Sequence, residues 1–116
     1  MKKNVIKEKS FSYAMHAIDL YKVLTVNKEY IISKQFLKSA TSIGANVTEA
    51  SAAYSKKDFA SKMSIASKEA RESLYWLELL EYGDFIEYDY KNLTEMAVEI
   101  IKMLTAIVKT CQSKPN

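Results

Sequence analysis

Residues 39–53 read SATSIGANVTEASAA. One charge, Glu49, stands in this stretch of a chain that is 27% charged. Within it Ala40, Ile43, Val47 and Ala50 fall at alternating steps of three and four, and Phe36 and Tyr54 extend the series on either side. A mean step of about 3.5 residues marks one side of an α-helix, a seam that keeps facing a partner helix at a shallow crossing angle. The opposite side runs through Thr41, Ser42, Ala45, Asn46, Thr48, Glu49, Ala52 and Ala53. A solvated helix face of this length normally carries several charges. Two readings remain open. The helix is buried on both sides, with a second partner that one copy does not contain, or it exposes a plain Ala/Ser-rich surface. The first reading makes Ser42, Ala45, Asn46, Glu49, Ala52 and Ala53 a candidate oligomer interface, because small side chains let two backbones approach closely.

The same spacing recurs outward from this stretch. Downstream, Phe59, Met63, Ala66, Ala70, Ser73, Leu77 and Leu80 continue it, and Leu93, Ala97, Ile100, Leu104, Ile107 and Cys111 repeat it. Upstream the pattern is looser, with Phe11, Ala14, Ile18, Tyr21 and Leu24 or Thr25 as the expected seam. Punctuation divides these runs. Asn27 and residues 28–32 separate the first from the second. Ser33 is the expected N-cap of the second, with Ile32 and Leu37 as a hydrophobic staple. Ser55-Lys56-Lys57-Asp58 is a capping box, flanked by Tyr54 and Phe59 as a second staple. Gly83 is expected to close the third helix in a left-handed conformation, and Asp89 or Asn92 to start the fourth. The spacing therefore predicts helices over about 5–25, 33–53, 55–82 and 89–112. With short links between them, they form an all-α, antiparallel, up-down-up-down four-helix bundle, one domain over residues 1–116.

Composition narrows the function classes. The 116 residues are 48% hydrophobic with two glycines and one proline, which favours long helices over disorder or turn-rich β folds. Cys111 is the single cysteine, so neither a disulfide framework nor a cysteine zinc cluster is expected, and a reduced, cytoplasmic setting fits. The basic start MKKNVIKEKS is followed by no apolar signal core. The longest weakly charged run, Met103 to Val108, is too short to span a bilayer. His16 is the only histidine, with Tyr13 three residues before it, which excludes the paired Glu-x-x-His of bundle di-iron enzymes. There is no His-Glu-x-x-His, no phosphate-binding glycine loop, and no Cys–His pair at a favourable spacing. No catalytic residue, metal site or cofactor is read from the sequence. Asn46 and Glu49 share a helix face and are read as a structural network, with Glu49 reaching Lys57 or Arg71.

The net charge of +3 is mild, but its placement is uneven. Residues 72–99 hold Glu72, Glu78, Glu81, Asp84, Glu87, Asp89, Glu95 and Glu99 against Lys91 alone. In an up-down bundle the other end gathers Lys2, Lys3, Lys7, Lys9, Lys56, Lys57, Lys62, Lys109 and Lys114 against Glu8, Glu49 and Asp58. That basic end is a candidate phosphate-binding surface. Lys68 and Arg71, with Glu72, Tyr75 and Trp76, form a charged aromatic patch, read either as a surface that stacks nucleobases or, as such runs more often are, as a solvated helix face beside a subunit contact. Lys68–Glu72 and Arg71–Tyr75 are neighbours one turn apart. The nucleic-acid candidates are thus Lys56, Lys57, Lys62, Lys68 and Arg71.

Ser42-Ile43-Gly44-Ala45-Asn46, Glu49, Ser55-Lys56-Lys57-Asp58-Phe59 and Lys68-Glu69-Ala70-Arg71-Glu72 with Trp76-Leu77 together resemble the bacterial four-helix-bundle family of ribosomal-RNA intervening-sequence proteins, over roughly residues 10–112. The accessory proteins of diversity-generating retroelements are relatives of that family. The resemblance implies a bundle that assembles into a homopentameric ring and has no known enzyme activity. It also implies RNA or DNA, and a reverse transcriptase or another protein, as possible partners. An assembly or adaptor scaffold with no nucleic-acid ligand is the alternative.

Overall fold

The computed structural model of the chain describes residues 4–113. It holds four helices and, among the described residues, no strand: α1 Val5–Val26, α2 Ile32–Ser51, α3 Lys56–Gly83 and α4 Lys91–Ser113. The connections are residues 27–31, 52–55 and 84–90. Even the longest of these spans at most about 25 Å when fully extended, less than the roughly 30 Å length of a 20-residue helix. Each helix must therefore return antiparallel to the one before it. Cross-helix pairs agree: Glu49 near the end of α2 meets Lys62 near the start of α3, while Lys38, earlier in α2, acts on Glu69, later in α3. Each helix packs on two neighbours, α1 and α3 each touching α2 and α4, in an elongated body of 52 × 24 × 22 Å.

The core is the set of seams. α2 buries Phe36, Ala40, Ile43, Val47 and Ala50; α3 buries Met63, Ala66, Ala70, Ser73, Leu77 and Leu80; α4 buries Leu93, Ala97, Ile100 and Leu104. Ile107 and Cys111, at the far end of the α4 seam, are only half-buried. Tyr54 does not extend the α2 seam. The helix ends at Ser51, and Tyr54 stands 94% exposed, so it staples nothing to Phe59. In α1 the seam is one position away from the expected one. Ile6, Ser10, Tyr13, Ala17, Leu20 and Leu24 face inward, whereas Phe11 is 67% exposed and Ile18 lies outside as well. The inward set carries hydroxyls, which disguises it in the sequence. Those hydroxyls are satisfied: Ser10 Oγ donates to the Lys7 carbonyl at 3.1 Å, and Tyr13 Oη lies 2.9 Å from Ser73 Oγ across the core.

The helix ends show local chemistry that differs from expectation at two places. Ser33 is not the N-cap of α2. The helix begins at Ile32, and the carboxylate of the buried Glu29 accepts the N–H groups of Ile31, Ile32 and Ser33 at 3.1, 3.0 and 2.6 Å. Ser33 Oγ instead donates back to the Glu29 carbonyl at 2.7 Å. One carboxylate thus does the work of a capping hydroxyl at a position where the helix dipole favours negative charge. At the end of α3 the left-handed residue is Asp84 (φ 54°, ψ 42°), not Gly83. Gly83 leaves room instead for the Phe85 ring, which a Cβ there would push aside. Ser55 does cap α3, accepting the Asp58 N–H at 3.0 Å, and Asp89 Oδ1 accepts the Lys91 N–H at the start of α4.

Candidate functional site

Lys57, Lys68 and Tyr75 recur after about three and about two turns of α3, so they lie in one line along its outer side, with Arg71 and Glu72 flanking it. Lys57, Lys68, Arg71, Glu72 and Tyr75 are all exposed. Arg71 donates to Thr105 Oγ1 of α4 at 2.8 Å, which leans it toward that helix without burying it. Glu72 accepts the Trp76 Nε1–H at 3.0 Å rather than pairing with Lys68, and the aromatic partner of Tyr75 is the Trp76 ring, edge-on at 5.0 Å. Lys62 leaves the line. It points toward α2 and forms an ion pair with Glu49 at 2.8 Å, which raises its pKa chiefly through that hydrogen bond. Glu49 therefore has a partner across α2 and α3, but it is Lys62, not Lys57 or Arg71. Nearby, Glu69 has its pKa raised, first by partial burial and then by Glu72, against the opposing pull of Lys38 and Lys68.

At the start of α3 the line meets the connection from α2. Lys56 and Lys57 are exposed and, among the described residues, neither forms an ion pair. Tyr54 stands free beside them. Its exposure was hidden in the sequence, because its spacing continues the α2 seam and only the end of the helix releases it. The positive end of the α3 dipole adds to the two lysines. Of the other basic-end residues, Lys9 is tied to Glu99 of α4 at 3.1 Å, Lys7 and Lys109 are exposed, and Lys2, Lys3 and Lys114 lie outside the described residues.

A second surface lies between α1 and α2. A groove of about 730 Å³ runs between Lys7, Phe11 and Ala14 on one side and Thr41, Gly44, Ala45 and Thr48 on the other. α1 and α2 come close at its floor, where a Cβ on Gly44 would sit 3.4 Å from Ser10 Oγ. Ala45 is exposed, and Ser42 and Asn46 are half-buried. The polar groups of this face turn back on their own helix. Thr41 Oγ1 donates to Leu37 O at 2.8 Å, Ser42 Oγ to Lys38 O at 2.7 Å, and Asn46 Nδ2 to Ser42 O at 2.9 Å. With these three side chains bonded to their own helix, the polar sequence of this face conceals a largely apolar surface, Thr48 being the hydroxyl left for a partner or solvent. Phe11 and Ala14 of α1 join it, residues that the sequence pattern assigned to the core. Ala52 is exposed and Ala53 half-buried, beyond the end of α2, and Glu49 is held by Lys62.

Reaction chemistry is sparse. Among the described residues no three His, Cys, Asp or Glu side chains are grouped to hold a metal ion. His16 Nδ1 lies 2.8 Å from the Ser12 carbonyl, and Cys111 is half-buried. Among the described residues no helix is long and apolar enough to cross a membrane.

Comparison with known proteins places this geometry. A search of curated proteins found no match. Among solved structures, a crystal structure at 1.70 Å resolution of a protein with unknown function from the S23 ribosomal protein family of Bacteroides thetaiotaomicron is 45% identical. It aligns with 90% of this chain and 99% of its own length, with a TM-score of 0.85. The family model described as 23S rRNA-intervening sequence protein matches residues 2–106. That match spans nearly all of the four helices, and the chain belongs to the 23S rRNA-intervening sequence protein family.

Proposed function

We propose that this protein is a non-enzymatic, self-assembling bundle that binds the phosphate backbone of RNA or DNA. The binding surface is the outer line of α3 together with the α2–α3 connection. The observation that carries this reading is the exposed Tyr54 beside the unpaired Lys56 and Lys57, continued along α3 by Lys68, Arg71 and Tyr75. Cations that follow a strand and aromatic rings that stack its bases are the two requirements of sequence-tolerant single-strand binding. The names of the family and of its structural neighbour, rRNA-intervening sequence and S23 ribosomal protein, support the same ligand class. Assembly through the α1/α2 groove, into a ring of five as the resemblance implies, would repeat this surface. Several weak contacts would then engage one strand together.

A gel shift with a long single-stranded RNA at rising salt tests the reading. Binding should weaken steeply with salt, because each neutralised phosphate releases counterions. Lys57→Glu with Lys68→Glu should reduce affinity by about tenfold or more at low salt, and Tyr54→Ala by about fivefold or more, with helix content unchanged. No shift at low salt, or equal binding by the charge-reversed protein, would refute it.

A further inference from the structure

The end of the bundle opposite the α2–α3 connection carries a different chemistry. Here α1 and α3 stop and α2 and α4 begin. From Glu78 to Asp89 the chain holds Glu78, Glu81, Asp84, Glu87 and Asp89 and no lysine or arginine, while Lys28, Lys34 and Lys91 stand exposed at the same end and are outnumbered by these acids. Between these acids the side chains are aromatic and open to solvent: Tyr82 is 88% exposed, and Phe85 and Tyr88 are also exposed. Tyr30 and Ile31, from the α1–α2 connection, are exposed at the same end. Tyr88 packs edge-on against Tyr90, with ring centroids 4.8 Å apart.

Carboxylates from several segments converge on this tyrosine pair. The Tyr88 phenol is raised first by burial and then by Asp19 of α1 and Asp89. The Tyr90 phenol is pushed up to about 12, first by burial and then by Tyr88, Glu81, Asp84 and Glu29. Tyr90 itself is 95% buried, and its hydroxyl has no hydrogen-bond partner among the described residues. A buried hydroxyl left in this state is rare in a folded protein. The acids do not chelate: no three of them are grouped to hold a metal ion. An excess of carboxylates without a chelate, set among flat aromatic faces, suits a planar, delocalised cation that stacks and donates several hydrogen bonds at once.

We propose that this acidic, aromatic tip docks an arginine-bearing segment of another protein, with guanidinium groups stacked on Tyr82 and Tyr88 and paired with the surrounding carboxylates. Charge complementarity selects the partner. A second copy of this chain is a poorer occupant, because its basic end presents lysines. Arg71, its single arginine, sits on α3 and is bonded to Thr105. The site is separate from the nucleic-acid surface and does not rest on it.

Fluorescence anisotropy with a short labelled oligoarginine peptide, and an oligolysine of equal length, tests the proposal on the full chain. Oligoarginine should bind several-fold more tightly than oligolysine. Tyr82→Ala with Tyr88→Ala, which leaves the charge untouched, should weaken it about tenfold. Tyr82→Ala alone, at a position too exposed to affect folding, should weaken it about threefold, and Lys57→Glu should leave it unchanged. Equal affinity for the two peptides, wild-type affinity in the tyrosine variants, or no binding at low salt would overturn the proposal. So would particle growth without peptide that Tyr82→Ala abolishes, since that would give the tip to a second copy.

Discussion

Turned outward, α1 shows Phe11, Met15 and Ile18, whereas α3 shows Lys57, Lys68, Arg71 and Glu72. Inward, the two helices are alike. Each buries a stripe that alternates steps of three and four, and the stripes meet through Tyr13 and Ser73. α3 is thus the more conventional amphipathic helix, its outer side mainly charged with Ile65 and Tyr75 among the charges. α1 carries a second apolar stripe on its outer side, flanked by the exposed Glu8, Asp19 and Lys22, and a single bundle covers only the inner stripe. An apolar face that stays uncovered and borders a groove lined by small residues marks an interaction site. The difference between the helices is what the proposed division of work rests on: α1 with α2 would meet other copies, and α3 a polyanion.

Substitution on the two sides of α1 gives the largest test of this contrast. Leu20 is fully buried, and Leu20→Ala should cost about 2–5 kcal/mol in a urea titration. Phe11→Ala should leave the helical signal intact and lower the molar mass in solution. If Phe11→Ala destabilises the fold as much as Leu20→Ala at unchanged mass, the outer side of α1 belongs to the core and the contrast fails.

A smaller effect separates the polar part of the α1 seam from its outer face. Tyr13→Phe removes one hydrogen bond but leaves Ser73 Oγ donating to Ala70 O, so it should cost about 1 kcal/mol at neutral pH. Burial raises the Tyr13 phenol well above its ordinary 10.0, partly offset by the Ser73 bond. A group whose folded pKa is raised contributes stability that is complete below its unfolded pKa and lost as pH climbs past it. Wild type should therefore lose more stability than Tyr13→Phe between about pH 8 and about pH 11. Parallel losses in thermal melts across that range would show that Tyr13 is not held neutral by burial.

The smallest effects divide the two sides of α3. Lys68→Ala should weaken RNA binding and leave the melting temperature unchanged. Lys62→Ala should do the reverse, with only a slight drop in melting temperature, since a solvent-screened ion pair contributes little. Equal losses of RNA affinity in the two variants would mean that overall charge, not the outer line of α3, governs binding.

These contrasts also explain what could be read from the chain alone. The bundle was legible because α2, α3 and α4 bury the residues their spacing selects, and Ser55 caps where a hydroxyl three residues before an acid should. The seam of α1 was not, because periodicity reports apolar faces and cannot tell a core from a surface awaiting a partner. Phe11 and Ile18 satisfy the helical period as well as Ala17 and Leu20 do. Glu29 escaped notice because its capping role needs the chain reversal at Lys28, a left-handed residue that sequence does not announce. Among the binding candidates, Lys62 was separated from Lys57 and Lys68 only by geometry, through Glu49 on the neighbouring helix. Tyr54 was masked by the spacing of a helix that ends three residues before it.

Self-assembly through the α1/α2 face is the central claim, and the molar mass of the intact protein by multi-angle light scattering tests it most directly. The 13.2 kDa chain should give a multiple of that mass, fivefold if the ring form holds, and Ala45→Arg should return it to a helical single copy, because it places an unpaired charge in the covered groove. Wild type eluting at the mass of one chain, or an Ala45→Arg variant of unchanged mass, would contradict it.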